Sequence, residues 1–285
     1  KYNIDGIHFD DYFYSYSGMS NTQDAQTFIN HNPNSLSLAD WRRDNVNQMV
    51  EMVFDTVEAE NIAHQKNMKF GISPFGIWKS GGDGSNTSSG ALQSYSAQFA
   101  DSKKWVEEGW VHYIMPQLYW QFDHSAPPYA DLVDWWAALT ETAGVDLIIG
   151  HGFYRYAETS NNWVNENEFL EQLRYASLYP SVKGHAIFSY KTLNSTDPEV
   201  VQALQRMDSY YWQNDVRTHW YKTPVDPIDP EPEDPVCDDG EVLENGKCVA
   251  TSKPLSEDQI VLIGASVVGF IAIGAVVFFT IKKKP

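Results

Sequence analysis

The sequence predicts an α/β fold built on a parallel sheet. Two observations carry this prediction. Short apolar segments alternate with longer segments of helical periodicity over residues 1–222, which is the pattern of parallel α/β domains. The short segments are apolar throughout, as strands covered on both faces are. The 285 residues, 42% of them hydrophobic, suffice for a large core.

Five strand–helix units are predicted in order. The helix at 40–65 places Val46, Val50 and Val57 on one face and has Asp40 as its expected N-cap. Gly144 is the expected C-cap of the helix at 129–143. The predicted strands are 4–9, 69–73, 111–118, 146–150 and 184–189, and the predicted helices are 40–65, 95–108, 129–143, 166–179 and 198–212.

The composition changes after this domain. Residues 223–236 form an acidic linker with regularly spaced prolines, which is expected to be extended and semi-rigid. Residues 237–249 carry the two cysteines of the chain around an Asn-Gly turn and predict a small hairpin. A Cys237–Cys248 disulfide is favoured in an oxidising compartment, with two unlinked thiols as the alternative.

The segment 260–281 predicts a transmembrane helix. It is almost unbroken in apolar residues, and about 22 residues match the thickness of a bilayer core; a buried helix of a soluble protein is the alternative. Residues 250–259 are juxtamembrane, and the lysines of 282–285 place the tail in the cytoplasm. We therefore expect a single-pass cell-membrane protein with an extracellular α/β domain. Such export needs an N-terminal signal, so a preceding segment is also expected.

The formal net charge of −18 excludes most nucleic-acid-binding classes, because the phosphate backbone attracts basic surfaces. The chain has no cofactor motif, no metal-site spacing, and too few ligands around its cysteines for zinc. No cofactor or metal is expected.

The candidate chemistry lies at the strand ends, where α/β folds place their reacting groups. Aromatic rings, amides and carboxylates follow the strands, and this mixture suits a polysaccharide. Asp10 and Asp11 are the predicted catalytic pair. The predicted substrate-binding residues are His8, Tyr12, Trp78, Gln117, Tyr119, Trp120, His151 and Tyr190.

Purely structural roles remain open for several of these residues. An Asp after a strand also caps turns, and this applies to Asp11 more than to Asp10. His151 and His185 also fit as hydrogen-bonded core histidines. Side chains alternate along a strand, so Asp10 shares a face with His8 and is the better catalytic candidate of the two acids.

Four collinear blocks carry a resemblance to a known family. They are 2–14 (YNIDGIHFDDYFY), 71–78 (GISPFGIW), 105–120 (WVEEGW followed by YIMPQLYW) and 147–154 (LIIG followed by Tyr154). Over residues 1 to about 212 the chain resembles the glycosyl-hydrolase-like family 10 of bacterial surface proteins. The resemblance implies a (β/α)8 TIM-type barrel that acts on glycans, with peptidoglycan-type strands as the expected class. It also makes the Asp10–Asp11 strand the fourth, so the chain is expected to hold a C-terminal portion, strands four to eight.

Glycoside hydrolysis generally needs two carboxyl groups, and the other strand ends supply no second one. The loop residues Asp83, Asp123, Glu158 and Glu166 are candidates, as are groups on strands before this chain. A glycosidase is the favoured function. A glycan-binding module without catalysis is one alternative, and a metal-dependent hydrolase or deacetylase using His8, Asp10 and His151 is another.

Overall fold

The computed structural model describes residues 4–11, 13–86, 90–125, 127–158, 163 and 165–210, and the backbone of 241–244 and 247–250. The predicted α/β fold is confirmed. Five parallel strands form one sheet in the order β1-β2-β3-β4-β5, which is compatible with a TIM-type barrel. The strands are β1 (Gly6–Asp10), β2 (Lys69–Ser73), β3 (Tyr113–Ile114), β4 (Asp146–His151) and β5 (Val182–Ile187).

The helices connect the strands in the predicted alternation. They are α1 (Ala25–Asn30), α2 (Leu38–His64), α3 (Ser94–Ala97), α4 (Ser102–Glu107), α5 (Tyr129–Ala143), α6 (Glu168–Ala176), α7 (Tyr190–Leu193) and α8 (Pro198–Tyr210), with a 3-10 helix at Phe153–Ala157.

Two predicted elements are shorter than expected. The helix predicted at 95–108 is divided into α3 and α4, because Phe99 adopts a left-handed conformation (φ 53°) between them. The strand predicted at 111–118 pairs regularly only at Tyr113 and Ile114. Pro116 has no N–H to donate to a neighbouring strand, and beyond it Gln117 makes only isolated bridges.

Helix ends follow local capping chemistry. Ser37, rather than the predicted Asp40, caps α2: its Oγ accepts from the Asp40 amide at 3.2 Å and donates to the Asp40 carboxylate at 2.6 Å. The bond from the Asp40 amide to Ser37 is one half of a capping box, and the Asp40 carboxylate accepts from the Ser37 hydroxyl instead of the Ser37 amide. Gly144 ends α5 in a left-handed conformation (φ 71°), as predicted.

The main core lies between the sheet and the helices. Phe70 and Ile72 of β2 are fully buried in it, and Ile7 and Phe9 of β1 pack against it. His8 and Asp10 alternate with these apolar residues and are exposed on the opposite side. We call that side the His8 face.

The chain divides into two compact units, and the five-stranded sheet and the C-terminal hairpin belong to different ones. The hairpin consists of β6 (Glu241–Glu244) and β7 (Lys247–Ala250), paired antiparallel. The described residues do not include Tyr12, the linker 223–236, Cys237, the side chain of Cys248 or residues 251–285. The disulfide and the membrane helix at 260–281 therefore stay predictions. Within the described ranges, no helix is both long and apolar enough to cross a membrane.

Candidate functional site

The His8 face begins with a contact that crosses three strands. The Tyr113 hydroxyl on β3 lies 3.0 Å from Nδ1 of His8 on β1, and the two rings stack at 5.8 Å with an interplanar angle of 10°. Gly71 of β2 lies between them, and a Cβ there would be 2.2 Å from the Tyr113 ring. The missing side chain at Gly71 therefore creates the space through which Tyr113 reaches His8.

Asp10, two residues after His8 on the same face of β1, accepts several hydrogen bonds. Its Oδ1 accepts hydrogen bonds from the Asp11 amide at 2.9 Å, from Ser73 Oγ at 3.0 Å and from Gln117 Nε2 at 3.1 Å. Gln117 also donates to the Ser73 carbonyl at 3.0 Å. We call His8, Asp10, Ser73, Tyr113 and Gln117 the Asp10 cluster. The cluster is contributed by β1, β2, β3 and the segment after β3. His8, Asp10 and Gln117 were predicted from the sequence as site residues, whereas Ser73 and Tyr113 were not.

A chain of hydrogen bonds leads from Tyr113 through His8 and Ser73 to Asp10. Because Ser73 Oγ–H donates to Asp10, Ser73 accepts from Nε2–H of His8 at 3.0 Å. Nδ1 of His8 then accepts from the Tyr113 hydroxyl. Desolvation lowers the pKa of His8, although the Asp10 charge opposes this in part, and burial raises the pKa of Tyr113 to about 12. A neutral His8 and a protonated Tyr113 fit this direction.

Asp11, the other predicted catalytic acid, has a different environment. It is only 3% exposed, and its Oδ2 is buried without a hydrogen-bond partner. Burial, reinforced by the negative charge of Asp10, raises the pKa of Asp11 to about 6. The Gln98 amide holds the Asp11 carbonyl at 3.1 Å. The two adjacent acids therefore differ in exposure: Asp10 is exposed to solvent, whereas Asp11 is buried.

Three aromatic side chains meet where β3, β4 and β5 end. Tyr119 stacks on Phe188 at 6.0 Å and 20°, and Tyr154 meets the edges of both, at 5.9 Å from Tyr119 and 5.8 Å from Phe188. We call these residues the aromatic triad. Tyr119 was predicted from the sequence as a binding residue, whereas Phe188 was not. Tyr190, also predicted, is largely exposed at the start of α7.

Two predicted tryptophans have different surroundings. Trp120 is half-buried, with its ring edge-on to Phe75 at 5.6 Å. Trp78 is buried in the main core, stacks on Trp135 at 5.7 Å and donates from Nε1 to Asp101 at 2.8 Å. Trp78 therefore lies in the core, and its predicted role in lining a sugar site stays a prediction.

His151 also lies in the core rather than on the His8 face. It is fully buried, stacks on Tyr129 of α5 at 6.0 Å and contacts Phe169 of α6 edge-on at 5.0 Å. Its Nε2 lies 2.9 Å from Nδ1 of His185. Desolvation lowers the pKa of His151 to about 4 and that of His185 well below its usual value. This environment fits the core alternative for both histidines, and the predicted substrate contact of His151 stays a prediction.

The metal alternative required His8, Asp10 and His151 together. The structure separates them, because His151 contacts the helices on the other side of the sheet. Among the residues that the structure describes, no three or more His, Cys, Asp or Glu side chains are arranged to hold a metal ion.

A buried polar network that was not predicted from the sequence holds the segment after β3. Gln172 of α6 donates from Nε2 to the Trp120 carbonyl at 3.0 Å and to Glu168 Oε1 at 2.8 Å. Glu168 also accepts from the Phe122 amide at 2.9 Å, and burial raises the pKa of Glu168. Because both donors of Gln172 are used, its Oε1 accepts from Nδ1–H of His151 at 3.0 Å. We call Glu168 and Gln172 the loop clamp.

The segment that follows Asp11 is held by a buried cation. Arg42 of α2 is 2% exposed and binds Asp24 through two hydrogen bonds, of 2.6 and 2.8 Å. Its guanidinium also lies 5.0 Å from the ring of Phe99 and 5.8 Å from that of Tyr14. A planar guanidinium suits such combined pairing and stacking. The segment 13–24 is thereby attached to α2.

The four loop carboxylates named as partner candidates do not join the Asp10 cluster. Glu158 pairs with Arg155 at 2.7 Å, and Glu166 pairs with Arg206 of α8. Asp83 and Asp123 are exposed. Within the described part of the chain, Asp10 is the carboxylate that the cluster orients, and its neighbours are neutral hydrogen-bonding groups that suit sugar hydroxyls.

Comparison with known proteins identifies the family of the chain. Residues 1–169 match the model of the family described as glycosyl hydrolase-like 10. The chain is 38% identical over 213 residues to "Glycosyl hydrolase YngK" of Bacillus subtilis, covering 71% of this chain and 40% of that protein. It is 34% identical over 218 residues to "Glycosyl hydrolase DigH" of Escherichia coli K12, covering 73% and 48%. The chain thus spans less than half the length of these relatives. Both the family match and the identity to these relatives show that the chain belongs to the glycosyl hydrolase-like 10 family.

Proposed function

We propose that the chain carries part of the active site of a glycoside hydrolase that acts on cell-wall or surface polysaccharide. The observation that carries this proposal is the Asp10 cluster, in which three donors fix Oδ1 of an exposed carboxylate. Family membership and the names of the relatives support the reaction class. The peptidoglycan-type substrate is part of the proposal.

Asp10 is the carboxylate that faces the anomeric carbon. Its Oδ1 is occupied by Ser73, Gln117 and the Asp11 amide, and these bonds hold the group in one orientation. Oδ2, the other carboxylate oxygen, is the one directed at substrate. A fixed carboxylate of this kind stabilises an oxocarbenium-like transition state, acting as nucleophile or as base for water.

Asp11 acts through Asp10 as a positioning residue. A carboxyl group that is 3% exposed does not contact substrate, but its charge state alters the field at Asp10. With a pKa of about 6, Asp11 is neutral in mild acid and ionised above it. We therefore expect the ionisation of Asp11 to contribute to the acid limb of the pH–rate profile. Hydrolysis also needs a second carboxyl group that protonates the leaving-group oxygen, and this general acid is a further member of the proposed catalytic site.

The larger setting is also proposed. The five parallel strands form strands four to eight of a TIM-type barrel, because five strands alone leave the cylinder open. The apolar segment 260–281 anchors the protein in the cell membrane, with the barrel outside and the basic tail in the cytoplasm.

The test uses the full-length protein and purified cell-wall glycan strands. Asp10→Asn keeps the shape of the side chain and removes its charge, so release of new reducing ends should fall at least about 100-fold. Asp55→Asn, an exposed substitution on α2, is the matched control. Unchanged turnover in Asp10→Asn would refute the site assignment.

A glycan-binding module without catalysis is the second candidate function. It is favoured by the cluster itself, where Asp10 is accompanied by His8, Ser73, Tyr113 and Gln117 and, among the residues that the structure describes, by no second exposed carboxyl group. Saturable glycan binding by the wild-type full-length protein, without release of reducing ends, would establish this function and exclude the hydrolase.

A further inference from the structure

The aromatic triad presents one ring to solvent. Phe188 follows β5 directly and remains 54% exposed, although it is a large apolar side chain. Tyr119 covers one face of this ring, and Tyr154 meets its edge. The face of Phe188 turned away from Tyr119 is therefore the open surface of the triad.

Backbone contacts hold this ring in place. The Phe188 amide donates to the His151 carbonyl at 2.9 Å, and the Tyr154 amide donates to the Phe188 carbonyl at 3.2 Å. Tyr119 lies directly over Gly152: a Cβ added at Gly152 would be 2.8 Å from the Cβ of Tyr119. A ligand that binds the ring has little side-chain order to impose, which favours affinity.

We propose that the open face of Phe188 is a sugar-stacking subsite, distinct from the Asp10 cluster, for a pyranose ring of the same glycan chain. The proposal rests on the proposed function and names the length of its substrate. The face of an aromatic ring is electronegative, and the axial C–H groups of a pyranose carry partial positive charge. A sugar ring that lies flat on Phe188 pairs these two surfaces.

The distance between the two places sets the ligand size. β1, which carries Asp10, and β5, which precedes Phe188, are at opposite edges of the five-stranded sheet. Four strand spacings correspond to about 19 Å along the sheet, and to less across a curved one. One sugar ring is shorter than this separation. A ligand that reaches both is therefore an oligosaccharide.

The segment after β3 connects the two places. Gln117 donates to Asp10, and Tyr119, two residues later, supports Phe188 from behind. A glycan that runs across the strand ends meets hydrogen-bonding groups at one end and an aromatic face at the other. Binding energy from the remote ring is then available to orient the scissile bond, so short substrates lose turnover as well as affinity.

The experiment measures binding and cleavage as functions of chain length in the full-length protein. Binding of a disaccharide and of longer oligosaccharides from cell-wall glycan is measured by calorimetry in the Asp10→Asn background, so that cleavage does not interfere. Phe188→Ala should weaken binding of the long oligosaccharides about tenfold and leave that of the disaccharide unchanged. Phe188→Trp should restore it. Ile62→Ala, an exposed apolar substitution on α2, is the control.

The outcomes separate this proposal from the proposed function. Length-dependent binding that needs Phe188, without turnover in the protein that retains Asp10, supports the subsite and refutes the hydrolase. Turnover with a length dependence that Phe188→Ala leaves unchanged supports the hydrolase and overturns the subsite. Equal weakening at every length also overturns it, because Phe188 would then act at the scissile bond or on the fold.

Discussion

The Tyr113 hydroxyl lies 3.0 Å from Nδ1 of His8, although a whole strand separates the two residues. The contact crosses β2 at Gly71, which has no side chain to block it. Tyr113 thereby supplies a fixed donor that selects the His8 tautomer, and His8 in turn donates to Ser73, the partner of Asp10. The geometry of Asp10 therefore depends on a glycine on the neighbouring strand.

We expect Gly71→Ala to destabilise the protein by about 1–3 kcal/mol, because the new methyl group overlaps the Tyr113 ring. Chemical denaturation measures this change, and proteolysis of the native state serves as a second probe. Gly82→Ala is the matched control, since a Cβ at Gly82 meets nothing within 4 Å. Equal stability of the two variants would contradict the packing described for Tyr113.

Asp11→Asn should change how stability depends on pH. Asp11 is protonated in the folded state up to about pH 6, whereas the unfolded chain ionises it near 3.8. The wild-type protein therefore loses stability from this group as pH rises from about 4 to 6. The variant lacks this loss, so its free energy of unfolding relative to wild type should rise across the window by at most about 3 kcal/mol.

Melting temperatures of both proteins at pH 4.5 and pH 7 are the measurement for Asp11. Any loss of packing in the amide variant is independent of pH and cancels in the comparison. A constant difference between the two proteins at both pH values would show that Asp11 titrates normally.

His151 should make the fold sensitive to acid. Its pKa is lowered from 6.5 to about 4, so the folded state keeps it neutral while the unfolded chain becomes protonated. Stability from this group is present above about pH 6.5 and is lost as pH falls toward 4. His151→Gln should be less stable at pH 7, because Gln172 and His185 lose their partner. Its deficit should shrink by about 3 kcal/mol at pH 4.

Urea denaturation across this pH range tests the prediction for His151. His31→Gln, at an exposed position, is the control substitution. A His151→Gln deficit that stays the same from pH 7 to pH 4 would place the acid sensitivity elsewhere in the chain.

Glu168→Ala should loosen the segment that carries Tyr119 and Trp120. The Phe122 amide and Gln172 Nε2 lose their shared acceptor, which costs about 1–3 kcal/mol. Amide hydrogen exchange in the segment around Phe122 should accelerate, and KM for glycan should rise more than kcat falls. Glu168→Gln retains an acceptor oxygen and should restore both properties. A variant that alters global stability alone would show that the loop clamp has no positioning role.

The fold was predictable because its signals are local. β2 and α5 match their predicted bounds, since an apolar run before a proline and a helix before a glycine each end for reasons visible in sequence. The shared face of His8 and Asp10 follows from strand alternation. Ser37 shows the limit of such reasoning, because Asp40 has the right chemistry for a cap and is the partner of the actual cap.

The site was only partly predictable because its members depend on face and register. His151 follows Leu147 and Ile149 in parity, and counting along β4 places it with the core on the helix side. Tyr113 depends on lying opposite Gly71, which is a property of strand pairing. Glu168 reaches the segment after β3 from a helix 46 residues away from Phe122 in sequence. Such contacts have no local pattern.

The contacts of Arg42 determine when residues 13–24 become ordered. Because its charge is enclosed with Asp24 and two aromatic rings, the segment after Asp11 acquires its shape when the protein folds. Ordering entropy for this rim is then part of the folding equilibrium and absent from the binding equilibrium. A ligand that contacts residues 13–24 should therefore meet a segment that is already ordered.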